Sequence, residues 1–118
     1  MEKSVLIVDD SLYMRTLIKD ALEGGGYSVI GQAANGEEAI DLAFELQPDL
    51  ITLDNILPDM IGTDILKVYQ EEGLKSRVVM ISAVGQESVV NEGLRLGAKA
   101  YIVKPFTTEQ LIDAVNKA

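Results

Sequence analysis

Val5-Leu6-Ile7-Val8-Asp9-Asp10-Ser11 is the stretch on which the fold turns: four consecutive apolar residues run directly into two carboxylates. A short apolar run without alternation reads as a strand buried on both faces, the pattern of a parallel sheet sandwiched between helices. Beyond it, Met14, Leu17, Ile18, Ala21 and Leu22 follow helical spacing until Gly24-Gly25-Gly26 stops the helix. A second strand is expected around Tyr27 to Ala33. Asn35-Gly36 then reads as a turn and N-cap, with Glu37 and Glu38 well placed in the first turn and Ala39, Ile40 and Ala43 forming the inner face. Pro48 ends that unit.

The same alternation recurs. Strands are expected at Leu50 to Leu53, Val78 to Ile81 and Tyr101 to Val103, separated by helices near Thr63 to Glu72 and Gln86 to Leu96. Thr107 or Thr108 can cap a last helix that turns Leu111, Ile112 and Val115 inward. Five strand–helix units predict an α/β fold: a doubly wound, five-stranded parallel sheet with helices on both faces, because parallel strands need right-handed crossovers. No linker or low-complexity tract interrupts residues 1–118, which read as a single domain.

Composition narrows the chemistry. The 118 residues are 47% hydrophobic and 25% charged, as suits a soluble globule. No apolar stretch reaches the roughly 18 residues of a membrane span, and Met1 to Lys3 lead into the first strand without a signal-peptide layout, so a cytoplasmic location without membrane insertion is expected. Without cysteine or histidine, the chain has no disulfide, no thiolate or imidazole metal site and no histidine base. Any resident metal must be a hard, oxygen-seeking cation. The formal charge of -9 argues against direct binding of nucleic acid, which needs clustered Lys and Arg.

In a parallel α/β sheet the functional crevice lies beyond the carboxyl ends of the strands. Those positions hold Asp9-Asp10, Asp54, Ser82 and Lys104. Singly, each has an ordinary explanation: Asp9, Asp10 or Ser82 as a helix cap, Asp54 as a turn residue, Lys104 as a solvated charge. As a set they are harder to dismiss. Three neighbouring carboxylates repel one another unless pKa values rise or a cation neutralises them, and an open oxygen-only site suits Mg²⁺, for which Mn²⁺ can substitute. The set fits phosphoryl transfer to a carboxylate. Asp54 attacks in line, Mg²⁺ is held by Asp10 and Asp54 with Asp9 acting directly or through water, Lys104 offsets phosphoryl charge, and Ser82 donates to the product. A phosphohistidine donor must come from another protein or domain, since this chain has no histidine.

Val8-Asp9-Asp10-Ser11, Leu53-Asp54, Leu57-Pro58-Asp59-Met60-Ile61-Gly62, Ile81-Ser82-Ala83 and Gly97-Ala98 leading to Tyr101-Ile102-Val103-Lys104-Pro105-Phe106 are specific as a set. Over essentially its whole length the sequence resembles the receiver domain of two-component response regulators. That resemblance implies Asp54 as phosphoacceptor, Asp9 and Asp10 as acidic metal ligands, the main-chain carbonyl of Ile56 as a further ligand and Lys104 as phosphoryl partner. It implies a strand order of 2-1-3-4-5, a cis peptide between Lys104 and Pro105, and a histidine kinase or phosphotransfer protein as donor. It further implies a switch in which Ser82 is drawn inward, Tyr101 follows, and the surface of the fourth helix, fifth strand and fifth helix is remodelled for a downstream protein. Ser82-Ala83-Val84-Gly85-Gln86 resembles single-domain chemotaxis receivers in particular. Ile56 and Val84 stand where the family controls access of water to the phosphoaspartate, and both are apolar here, which implies slow hydrolysis. Leu57 replaces a frequent Met, nearly conserving volume.

Other readings remain open at this stage. An aspartyl-nucleophile phosphohydrolase would share the chemistry at Asp54, but haloacid-dehalogenase-like enzymes carry a second Asp two positions on, where this chain has Ile56. A dinucleotide-binding module would need a glycine-rich loop after the first strand, and Asp9-Asp10-Ser11-Leu12 is not one. An N-terminal receiver excised from a larger transcriptional regulator would read the same, whereas retention of Asp9, Asp10, Asp54, Ser82 and Lys104 argues against a receiver that binds without being phosphorylated.

Overall fold

The computed structural model describes residues 3–118; the reading of Met1 and Glu2 as a lead into the first strand lies outside the described residues. Strands and helices alternate without exception: β1 (Lys3–Val8), α1 (Leu12–Gly24), β2 (Tyr27–Ala33), α2 (Gly36–Leu46), β3 (Leu50–Leu53), α3 (Gly62–Glu71), β4 (Arg77–Ser82), α4 (Glu87–Arg95), β5 (Ala100–Val103) and α5 (Thr108–Lys117). All pairings are parallel, in the order β2-β1-β3-β4-β5. The chain runs outward from β1 to β2 and then returns past β1 to β3, so the order reverses between β1 and β3. A crevice opens at such a reversal, beyond the carboxyl ends of the two strands.

The period-2 geometry of each strand divides its apolar run between two cores. Leu6, Val8, Ile51, Leu53, Val78 and Met80 face α2, α3 and α4, together with Ala39, Ala43, Ile65 and Leu66. Val5, Ile7, Leu50, Val79 and Ile81 face α1 and α5, against Ile18, Leu22, Leu111 and Val115. Strands buried on both sides need apolar residues at every position, which is why Val5 to Val8 shows no alternation. Register carries this division across the sheet, with Val8 beside Leu53 and Leu53 beside Met80.

Helix boundaries follow side-chain caps. Ser11, rather than Asp9 or Asp10, starts α1 by accepting from the Met14 amide at 3.2 Å. Asn35 starts α2, accepting from Glu38, whose own carboxylate accepts from the Ala34 amide. Thr107, not Thr108, starts α5 through a reciprocal capping box with Gln110. At the other end of α1, Gly25 is the C-cap and Gly26 has φ +90°, a backbone that favours glycine. Helical spacing overstated burial at several positions, Met14 and Ala21 among those only partly buried. Leu17 is exposed, and Ile40 and Ile112 are only partly buried, because a helix on a sheet buries a stripe narrower than the full apolar set. Among the described residues no helix is long and apolar enough to cross a membrane.

One buried polar atom has no partner among the described residues: the Thr52 hydroxyl, in the centre of β3 between Ile7 and Val79. A buried hydroxyl without a hydrogen bond costs roughly 1–3 kcal/mol, and valine has the same branched shape without that liability. Thr52→Val is therefore expected to raise unfolding stability by about 1 kcal/mol, read as a higher urea midpoint at unchanged slope; a lower midpoint would mean that the hydroxyl is satisfied.

Candidate functional site

The ends of β1, β3, β4 and β5 bring Asp9, Asp10, Asp54, Ser82 and Lys104 to the same sheet edge. One carboxylate oxygen each from Asp9, Asp10 and Asp54 lie within 4.8 Å of one another. Asp9 and Asp54 are buried, whereas Asp10 is exposed. Lys104 reaches in from the loop after β5, its Nζ donating to Asp9 Oδ2 at 2.7 Å and to Asp54 Oδ2 at 3.2 Å. The Lys104–Pro105 peptide that follows is cis.

The second oxygens of the two buried acids are held locally. Asp9 Oδ1 accepts from the Ser11 amide at 2.9 Å and Asp54 Oδ1 from the Ile56 amide at 3.2 Å. Ser82 is fully buried, and its hydroxyl accepts from the Val84 amide at 3.2 Å. Each of these bonds is the short-range turn contact that makes such residues ordinary in isolation. No hydrogen bond joins Ser82 to Asp54 among the described residues. Tyr101 is half-buried on the α4 side of β5, its hydroxyl donating to the Val84 carbonyl at 2.6 Å. Ser82 and Tyr101 thus meet at one residue, Val84, through its amide and its carbonyl.

Burial pushes the Asp54 carboxyl above its usual range; the Lys104 charge and the Ile56 amide oppose that push, and the Asp9 charge reinforces it. Burial also disfavours the Lys104 ammonium, but the bond to Asp9 and the charges of both acids overcome it, so its pKa is raised. Tyr101 is raised by burial against a contact with Ser82, with a further push from Asp54. Three carboxylates facing one ammonium leave an excess of negative charge in the crevice. The donors are all hard oxygens, in a chain without histidine or cysteine, and this set fits Mg²⁺.

Two supports were not legible in the sequence. Arg15, one turn into α1, donates from Nη1 to the Asp9 carbonyl at 2.8 Å and from Nε to Gln32 at 3.1 Å, bracing the turn that presents Asp9. Asp59 accepts from the Gly36 and Glu37 amides at 2.7 and 3.0 Å, tying the loop after Asp54 to the start of α2. Those amides hold its carboxyl below the usual range. The signal for Asp59 was a lone acid between two turns, which specifies no partner; that for Arg15 was a helix-face cation indistinguishable from a solvated one.

Comparison with known proteins points the same way as the geometry. The family model for the response regulator receiver domain matches residues 5–116. The chemotaxis protein CheY of Thermotoga maritima is 42% identical over 117 residues, covering 99% of this chain and 98% of that protein. CheY of Bacillus subtilis is 41% identical with the same coverage. Among solved structures, the CheX–CheY–BeF3–Mg complex of Borrelia burgdorferi superposes with a TM-score of 0.92 at 36% identity, covering 96% of this chain and 86% of that one. Likeness of this extent, in sequence and backbone alike, shows that the chain belongs to the response regulator receiver domain family.

Proposed function

We propose that this receiver takes a phosphoryl group onto Asp54 from a partner's phosphohistidine and relays the event through Tyr101. The observation that carries this reading is the Lys104 ammonium bonded to both Asp9 and Asp54, beside a third carboxylate within 4.8 Å. An Asp54 oxygen attacks phosphorus, the P–N bond to the donor breaks, and the electron pair leaves with the imidazole. Lys104 donates to the phosphoryl oxygens as charge builds on them. Asp10, Asp54, the Ile56 main-chain carbonyl and Asp9, directly or through water, would hold Mg²⁺, which when bound supplies positive charge to those same oxygens. The chain is a signalling domain and acts on no metabolite; the covalent chemistry is confined to its own aspartate.

The output follows from Val84. An acyl phosphate at Asp54 offers acceptor oxygens that a carboxylate bonded to Lys104 and Ile56 does not, so the Ser82 hydroxyl turns from its turn contact with the Val84 amide toward them. Tyr101, bonded to the carbonyl of the same residue, changes its surroundings with it, and the α4–β5–α5 surface is altered for a downstream protein. The names of the two curated relatives reported above support chemotaxis as the signalling context and a single receiver unit over residues 1–118 as the working arrangement.

The direct test is mass spectrometry after incubation with acetyl phosphate. Wild type should gain about 80 Da, one phosphoryl group, only when Mg²⁺ is present, and Asp54→Ala should gain nothing. Wild type that stays unlabelled while a known receiver is labelled would sink the phosphoacceptor reading.

Hydrolysis of the acyl phosphate should be slow. Ile56, two residues after Asp54, is 52% exposed, and Val84, two residues after Ser82, is partly buried; the resemblance to receivers assigns both positions to control of water access, and both are apolar here. Ile56→Asn combined with Val84→Glu is expected to speed decay roughly tenfold, about 1.4 kcal/mol in the barrier, measured as loss of the phosphoprotein over time. Unchanged or slower decay in the double variant would refute the role given to these two residues.

The raised pKa of Asp54 carries a sign. Folded Asp54 holds its proton to higher pH than unfolded Asp54, so folding loses stability as pH rises from the ordinary carboxyl value of 3.8 through the folded value, and the penalty stays in full above it. Asp54→Asn should accordingly unfold at a higher denaturant midpoint than wild type at pH 7, with the gap closing as pH falls toward about 4. Mg²⁺ at a hundred times its Kd should raise wild-type stability by about 2.7 kcal/mol and Asp54→Asn by less.

A further inference from the structure

Gly93 sits in the interior of α4 and is buried. Glycine weakens a helix interior, because the unfolded chain gives up more freedom there than alanine would. A close approach explains its presence. A β-carbon at residue 93 would stand 2.8 Å from Met80 Sδ, and 3.4 and 3.7 Å from Cδ2 and Cε2 of the Tyr101 ring. The first distance is a clash and the other two are ordinary contact, so sulfur and ring already fill the space that a side chain would take.

Met80 has no room to withdraw. It is fully buried, and its far end abuts a second glycine: a β-carbon at Gly62 would meet Met80 Cε at 3.0 Å, Asn55 Cα at 2.9 Å and the Asp54 carbonyl oxygen at 2.7 Å. The thioether therefore spans from Gly62, at the start of α3, to the underside of α4. Tyr101 completes the pocket, its ring against Gly93 and its hydroxyl fixed on Val84.

We propose that Gly93 is a positioning residue for Tyr101: its missing side chain leaves the seat beneath α4 in which the ring lies, its inward position, with Met80 as the floor of that seat. The proposal rests on the reading of Tyr101 as the output group and deepens it. A β-carbon at 93 takes the place of the Met80 sulfur, Met80 is stopped by Gly62 on its other side, and the displaced thioether moves against the ring. Gly93→Ala thus disfavours inward Tyr101 even though alanine strengthens the helix that carries it. Linkage makes the effect reciprocal. Whatever factor Tyr101 loses in its inward population, the phosphoryl site loses in affinity for a phosphoryl mimic that favours that population.

The test uses the full chain grown with 3-fluorotyrosine and observed by fluorine NMR, with Tyr101 identified among the four tyrosines by its absence in Tyr101→Phe. Beryllofluoride with Mg²⁺ is titrated into wild type, Gly93→Ala, the exposed control Asn91→Ala on the same helix, and Gly93→Ala combined with Met80→Ala. Wild type and Asn91→Ala are expected to show the same saturable shift of the Tyr101 signal. Gly93→Ala should fall short of that shift at saturation and bind beryllofluoride about fivefold more weakly, while far-UV circular dichroism shows its helices intact. Removing the Met80 side chain should restore the shift, an outcome that a general loss of packing would not give. Wild-type shift and affinity in Gly93→Ala, or tighter binding, overturns the proposal. A Tyr101 signal that ignores beryllofluoride in wild type, in protein that acetyl phosphate still labels, overturns the Tyr101 reading and this proposal with it, leaving Asp54 as phosphoacceptor untouched.

Discussion

Three carboxylates converge beyond β1 and β3, and the Lys104 ammonium, 2.7 Å from Asp9 and 3.2 Å from Asp54, is the charge that makes their convergence tolerable. The lysine comes from the loop after β5, two strands away from β3, so the balance exists only when all of β1, β3, β4 and β5 are in register. An ammonium and two buried carboxylates do not by themselves make a fold stable, because the desolvation of each charge offsets much of their attraction. They act instead as a tension held in place by apolar packing elsewhere. That tension registers in the raised pKa of Asp54, which burial disturbs more than Lys104 relieves.

Around the crevice, short-range hydrogen bonds do the positioning. Asp9 reaches Ser11, Asp54 reaches Ile56 and Ser82 reaches Val84, each two residues along the chain. Longer ties then join the loops to one another. Asp59 holds the start of α2, and Asn55 holds the start of α3 through the amides of Gly62 and Thr63. A group bound at Asp54 or transferred to it therefore acts on a loop whose two ends are fastened to different helices. Rigid support of this kind favours a discrete response over a gradual one.

The fold was legible because two periods alternate along the chain: solid runs such as Leu50 to Leu53 for strands, and capped segments such as Thr107 to Lys117 for helices. The site residues were legible as a set because each follows a strand and because topology gathers strand ends. Less legible was anything that depends on which partner a side chain finds at long range. Arg15 was one helical cation among several until the structure brought it to the Asp9 carbonyl, and Asp59 was a loop acid until its carboxylate met α2. The spacing of Leu17 suggested burial, yet α1 rests on the sheet through Ile18 and Leu22 and leaves Leu17 exposed. Periodicity specifies a face of the helix, and only packing decides how much of that face is covered.

The register between β1 and β2 slips once, at Val5 and Leu6, where Ile30 has no opposite number. β2 is an outer strand, and such an irregularity bends and twists it, spoiling the straight row of free amides and carbonyls that another chain could pair with. The opposite border, β5, is only four residues long. Both rims of the sheet are thereby poor templates for strand addition. A chain whose sheet rims discourage pairing can be abundant without assembling into fibrils, and its encounters with other proteins are left to its helices and loops.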